Sequence, residues 1–208
     1  MRRFVRFLWQ DIGTHVDADA ILAAGFFFTV LVASPTIEIL QPEGFIVLFW
    51  LGALLACLLA ADRLFAHDFR NGVVDQVLCS RWPMSVYAAL KLLAWLTVPG
   101  MLVGVLGCLA YLIVVGSDGL GRLALCLVVA LPGMIALVGM MAALTVDAVR
   151  GTALVVLAVI PLSLPLVIFG TASMQADTPF LMLAGVSLIY VSLAPAVISF
   201  ALADAARR

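Results

Sequence analysis

Six apolar runs, each about as long as a bilayer is thick, follow one another along this chain. A membrane-spanning helix needs roughly 20 apolar residues. Only 11% of the residues are charged, against about 25% in soluble domains, which excludes an ordinary soluble fold. The sequence therefore predicts an all-α, polytopic integral membrane protein whose single transmembrane domain covers residues 1–208. The six predicted spans are roughly 20–37, 45–61, 86–115, 123–146, 152–173 and 180–202.

Positive charge is concentrated on one side of these predicted spans. With the N-terminus in the cytoplasm, the external segments hold a single basic residue, Arg122. Because cytoplasmic loops of membrane proteins are enriched in Lys and Arg, this asymmetry predicts that both termini are cytoplasmic. The ten basic residues on the cytoplasmic side are Arg2, Arg3, Arg6, Arg63, Arg70, Arg81, Lys91, Arg150, Arg207 and Arg208.

Residues 1–19 precede the first span and carry apolar side chains at helical spacing. Trp9 adds an aromatic side chain of the type favoured at membrane interfaces, and basic residues lie largely off the apolar stripe. The pattern predicts a helix lying on the cytoplasmic leaflet. The alternative is a charged leader that only sets the topology. The apolar stripe consists of Phe4, Phe7, Leu8, Ile12 and Val16.

The chain lacks the residue patterns expected of an ion-coupled transporter or an enzyme. Acidic and basic residues fall near the ends of the spans or in loops, whereas proton relays need them near the bilayer midplane. No GxxxxGK[ST] phosphate loop occurs, and the only histidines, His15 and His67, lie outside the spans. The four cysteines form no CxxC pair and are interpreted as small apolar residues. We therefore expect a non-catalytic subunit, with any ATP hydrolysis performed by a separate protein.

The spans themselves contain several helix-perturbing residues. Pro161 and Pro165 make the fifth span the one most expected to bend or break. The GxxxG motif formed by Gly100 and Gly104 would let two helices approach closely, although such motifs are common by chance. Lys91, near the inner end of the third span, is interpreted as extending its ammonium group to the interface.

One long polar segment, residues 62–85, interrupts the apolar sequence between the second and third spans. Asn71-Gly72 should break the helix there, with Asn71 capping a new short helix and Asp75 near its positive N-terminal end. Pro83 should end that helix. A short helix with one apolar side is suited to docking a cytoplasmic protein; the alternative is a folded loop without a partner. The predicted apolar side consists of Val73, Val74, Val77 and Leu78.

The residues of this segment resemble those of the haem exporter protein B (CcmB) family, the membrane subunits of an ABC transporter in cytochrome c maturation. The wider ABC-2 permease group has a related pattern after its second span. Six spans and a proline-rich fifth span extend the resemblance over essentially the whole chain. Its most specific part is the run Asp62-Arg63-Leu64-Phe65, then Asp68-Phe69-Arg70-Asn71-Gly72-Val73-Val74-Asp75-Gln76-Val77-Leu78, then Pro83 and Lys91.

The resemblance implies a multi-pass protein of the bacterial inner membrane with an ABC-2-type transmembrane domain. Its implied partners are a CcmA-like cytoplasmic ATPase, which binds ATP, and CcmC-, CcmD- and CcmE-like haem-handling proteins. A second copy of the chain and membrane lipids are further implied contacts, and nucleic acid is not expected. The ATPase would dock on residues 62–85, the coupling segment. The implied docking residues are Asp68, Arg70, Asn71, Gly72, Asp75, Gln76, Leu78 and Pro83.

The function implied by the resemblance is to couple ATP hydrolysis by the partner to haem export or to release of the haem-loaded chaperone. Haem would be handled by the complex, because this chain lacks the tryptophan-rich motif of haem-binding relatives. Two alternatives remain open from the sequence. The chain could be an ABC-2 permease for another hydrophobic substrate, or a membrane scaffold that transports nothing.

Overall fold

The computed structural model describes residues 25, 42–61, 64–80, 82–146 and 151–206. The predicted interfacial helix, residues 1–19, and nearly all of the first predicted span, residues 20–37, lie outside these residues. Within the described residues the protein is all-helical, which confirms the all-α part of the predicted fold class. Its helices are α1 (Pro42–Ala61), α2 (Ala66–Arg70), α3 (Val73–Cys79), α4 (Met84–Trp95), α5 (Met101–Val114), α6 (Leu120–Leu144), α7 (Gly151–Ala172) and α8 (Asp177–Ala205), with a π-helical turn at Leu96–Gly100 between α4 and α5.

Apolar helices occupy the other five intervals predicted as spans. Among the described residues, α6 and α8 are the two helices that are long and apolar enough to cross a membrane, judged by length and composition. Shorter apolar helices cover Gly44–Leu58, Met84–Trp95, Met101–Val114 and Val159–Ala172. The helical character of these intervals agrees with the sequence, whereas the count of six spans is not confirmed and is part of the proposal below.

Helix α6 forms the centre of the bundle. It packs against α8, α7, α5 and α1, and most of its side chains are buried. Small residues bring these neighbours close: a Cβ added at Gly133 would lie 2.5 Å from Oγ of Ser187 on α8. The hydroxyl of Ser187 donates a hydrogen bond of 2.6 Å to the carbonyl of Val129. When helices are apolar on all sides, apolar surface alone does not decide which faces pack together. Close backbone approach at small residues and hydrogen bonds between helices then hold them together.

The third predicted span is one helical run from Met84 to Val114 that departs from α geometry at a single place. Pro99 lies in the π turn. Because proline has no N–H, the α-helical bond to the carbonyl of Trp95 cannot form, and local widening is one way a helix accommodates this loss. Helix α7, by contrast, runs without a break past Pro161 and Pro165. The fifth span is therefore not broken at these prolines, and the bend that the sequence also allowed stays a prediction.

The GxxxG motif mediates a close contact inside this chain. A Cβ added at Gly100 would lie 3.1 Å from Cδ1 of Ile135, and one at Gly104 would lie 3.4 Å from Cδ1 of Leu131, both on α6. The two glycines also line an apolar groove of about 480 Å³ between α5 and α6. The motif therefore serves the packing of α5 on α6.

The helical run Met84–Val114 leads from the polar segment to the turn between α5 and α6, which therefore lies at the opposite end of the bundle, and the turn between α7 and α8 lies beside it. The guanidinium of Arg122, at the start of α6, donates to the carbonyl of Ser173 and forms an ion pair of 2.8 Å with Asp177. The hydroxyl of Tyr111 donates to the carbonyl of Asp118 at 2.9 Å. The Arg122 contacts hold the two turns beside each other, and the Tyr111 bond closes the turn between α5 and α6.

Candidate functional site

The described part of the polar segment folds into two short helices, α2 and α3, joined at Asn71-Gly72. Gly72 has φ 70°, in the left-handed region that glycine adopts without strain, and it precedes the first residue of α3. Asn71 ends α2 and its side-chain amide contacts Nε2 of His67 at 2.7 Å, so it does not cap α3 as the sequence suggested. Asp75 lies in the first turn of α3, where its charge is favourable.

The inner face of the segment packs onto the helical bundle. Phe65, Val74 and Val77 are fully buried, and Val73 is partly buried against the same core. Helix α3 lies close to α4 and α8. Val74 and Val77, three residues apart, face the same side of α3, which explains why these positions are apolar. The segment is therefore anchored to the bundle by its own hydrophobic side.

A charged cluster lies in this buried contact. Asp68 is 2% exposed, and its Oδ2 accepts hydrogen bonds from the hydroxyl of Tyr87 and from Nζ of Lys91, both on α4. The Lys91 ammonium also lies 6.0 Å from the ring centroids of Phe65 and Tyr87, within reach of cation–π attraction. Because Lys91 is only 12% exposed in its side chain, its interpretation as a residue extended to the interface was wrong.

The outer face of the segment consists of exposed polar residues around one exposed leucine. Leu78 is 43% exposed, although the sequence placed it on the apolar side of α3. The hydroxyl of Ser80 donates to the carbonyl of Val77 at 2.7 Å and accepts from the N–H of Trp82 at 3.2 Å, which shapes the end of α3. This outer face presents both charge signs and an exposed apolar side chain, that of Leu78. Its exposed members are Arg70, Asn71, Asp75, Gln76, Leu78, Cys79 and Pro83.

A family model described as "CcmB protein" matches residues 2–208. The chain is 36% identical to Heme exporter protein B of Bradyrhizobium diazoefficiens over 199 residues, covering 88% of this chain and 89% of the relative. It is 33% identical to Heme exporter protein B of Rhodobacter capsulatus over 202 residues, covering 90% and 93%. The chain belongs to the CcmB family. The Escherichia coli K12 protein of the same name is 34% identical over 130 residues, 62% of this chain and 59% of that protein.

The predicted docking residues of this CcmB family member lie in three places. Six of them lie on the exposed outer face, and Gly72 is partly buried at the turn between α2 and α3. Asp68 lies on the inner face and presents no charge to a partner in this conformation. The six exposed residues are Arg70, Asn71, Asp75, Gln76, Leu78 and Pro83.

Tyr87 is the residue of this cluster that sequence reasoning did not single out. Tyr87 and Lys91 are four residues apart on α4, so they share one face of that helix. Two polar side chains on one face of an apolar helix near its start are a usable signal for a polar partner. The described residues contain no group of three or more His, Cys, Asp and Glu side chains arranged to hold a metal ion.

Proposed function

We propose that this chain is the membrane permease subunit of an ABC transporter that exports haem for cytochrome c maturation. The proposal is supported by its membership of the CcmB family and by the name of its relatives, Heme exporter protein B. It is also supported by the absence of a phosphate loop from the sequence, since a permease without one needs an ATPase supplied by another chain.

The observation that carries the proposal is the division of the polar segment into two faces. Its inner face is buried on the bundle, and its outer face is exposed, is mostly polar and includes the exposed Leu78. An exposed apolar side chain ringed by polar groups is the arrangement found at the centre of protein–protein interfaces. In this proposal the CcmA-like ATPase docks on the outer face, and Arg70, Asp75, Gln76 and Leu78 contact it.

The proposed topology has six spans, with both termini and the polar segment in the cytoplasm of a bacterium. Helices in five of the six predicted intervals and the excess of basic residues on one side support it. Helix α8 packs against α3, and Ile198, in the C-terminal part of α8, approaches Gly139 together with Leu64 of the polar segment, which would place the C-terminus on the same side as that segment. Haem is handled by the assembled complex with CcmC-, CcmD- and CcmE-like partners, and ATP is bound by the ATPase.

The docking role is tested by Asp75→Lys combined with Leu78→Asp, with the ATPase and the tagged chain produced together. Loss of an interface centre costs about 2 kcal/mol or more, so we expect the amount of co-purified ATPase to fall at least about tenfold. The matched control is Asp118→Lys, which reverses an exposed acidic charge at the opposite end of the bundle. Undiminished co-purification with the double variant would contradict docking on this face.

The substrate is tested in the same preparation. We expect the co-purified chains to include the haem-handling partners and the complex to show haem absorbance. A complex that contains the ATPase but neither haem nor these partners would favour an ABC-2 permease for another hydrophobic substrate. A tagged chain that brings down no ATPase at all would favour a scaffold.

A further inference from the structure

We propose that Asp68, Tyr87 and Lys91 form a buried joint that transmits displacement of the polar segment to α4, acting as positioning residues and not as docking residues. This inference rests on the proposed docking of an ATPase on the outer face. It assigns a separate role to Asp68, whose carboxylate lies on the opposite side of the segment from that face.

The geometry of the joint makes it directional. A single carboxylate oxygen of Asp68 accepts from two donors that are one helical turn apart on α4, Tyr87 and Lys91. One of these hydrogen bonds comes from the Lys91 ammonium and the other from the Tyr87 hydroxyl. Together they restrain both sliding of the segment along α4 and its rotation about that helix. The apolar contacts of Val74 and Val77 are not directional, and they allow the segment to slide on the bundle.

Burial indicates that the joint has a purpose other than stability. The side chains of Lys91 and Asp68 are 12% and 3% exposed. Taking both charges out of water carries a desolvation cost that often cancels their attraction, so a buried ion pair is a poor source of net stability. What such a pair does supply is a fixed register between the two elements that carry it.

The joint is continuous with the contact between α4 and the centre of the bundle. Leu92, the residue after Lys91, packs on Gly139 of α6, where an added Cβ would lie 2.6 Å from Cδ2 of Leu92. Leu64 of the polar segment and Ile198 of α8 approach the same glycine. Coupling between distant sites is carried by such chains of packed side chains and rigid elements. A displacement of the segment therefore reaches α4 at the point where α4, α6 and α8 meet.

The deciding variant is the neutral double substitution Asp68→Asn with Lys91→Gln, made in the full chain and produced with its partners. Removing both charges together avoids an unpaired buried charge, so we expect thermal stability in detergent close to that of the unmodified chain. We also expect normal co-purification of the ATPase and continued ATP hydrolysis. Holocytochrome c formed per ATP hydrolysed should fall about tenfold, the size of a typical coupling effect between two sites.

Two results would overturn the joint. Normal holocytochrome c yield in the stable double variant would mean that the pair only holds the fold. Loss of ATPase co-purification would mean that the pair shapes the docking face instead of transmitting from it. Failure of the docking proposal is recognised separately, because it appears as normal co-purification in the Asp75→Lys with Leu78→Asp variant whatever the double variant does.

Two milder variants keep the test decisive if the double variant does not accumulate. Tyr87→Phe removes one donor and leaves the ring in place, so we expect a partial loss of holocytochrome c per ATP with normal ATPase co-purification. Lys91→Arg keeps the charge and should retain most of the yield. Equal yields in Tyr87→Phe and the unmodified chain would overturn the joint.

Discussion

The two ends of this helical bundle are each fastened by an ion pair, and the two pairs are built differently. At the polar segment, Asp68 and Lys91 are buried and share their contact with Tyr87. At the opposite end, Arg122 and Asp177 form a pair of 2.8 Å whose side chains are 36% and 95% exposed. The same chemistry therefore appears once in the protein interior and once in contact with the surroundings.

Because the two ion pairs differ in burial, we expect their disruption to differ in its effect on stability. An exposed pair gains little, because the surroundings screen the charges and both side chains lose conformational freedom. A buried pair also contributes little as a pair, but breaking it leaves a charge that water cannot reach. At the end that carries the proposed docking face, replacing only one member of the pair should therefore destabilise the protein strongly. This is consistent with a joint that keeps the segment and α4 in one register.

The largest expected effect comes from breaking the buried pair on one side only. Lys91→Gln leaves the Asp68 carboxylate buried without its cation, and we expect the free energy of unfolding to fall by about 3–5 kcal/mol. Asp68→Asn with Lys91→Gln should recover most of that loss. Thermal unfolding in detergent measures both variants. If the single and the double variant unfold at the same temperature, the pair is not coupled and the comparison of the two ends fails.

The sequence predicted the all-helical class and the position of the break at Asn71-Gly72, because both depend on local composition. It did not predict the role of Asn71, since cap geometry depends on backbone angles that an Asn-Gly pair leaves open. The ion pair was missed for another reason. Asp68 and Lys91 are 23 positions apart, and nothing in local periodicity shows that α2 folds back onto α4.

The hydropathy pattern likewise located the helices but did not show which face of each helix is buried. It located the interval of α6 but not its central position, which depends on glycines that face particular neighbours. It also placed Leu78 with the buried valines, because a seven-residue helix has too few turns for its periodicity to separate one face from another. The exposure of Leu78 is a property of how α3 sits on the bundle.

A smaller effect is expected from the helix that joins the two ends. Gly133→Ala would place a Cβ 2.5 Å from Oγ and 2.9 Å from Cα of Ser187, so α6 and α8 must separate. Such overpacking costs about 1–3 kcal/mol. The matched control is Gly121→Ala in the same helix, where nothing lies within 4 Å of the added Cβ. Thermal unfolding of the two variants should differ, and equal stability would show that α6 and α8 adjust to each other without cost.

The smallest effect is expected at the exposed pair. Asp177→Asn removes the ionic contact with Arg122 but leaves the bond from the Arg122 guanidinium to the carbonyl of Ser173. Because exposed pairs contribute about 0–1 kcal/mol, the unfolding temperature should change little, and the small change should shrink further in high salt as screening increases. The buried pair should depend much less on salt, since buried charges are screened much less than exposed ones. If Asp177→Asn lowered the unfolding temperature as much as Lys91→Gln does, the difference in burial between the two ion pairs would have no effect on stability.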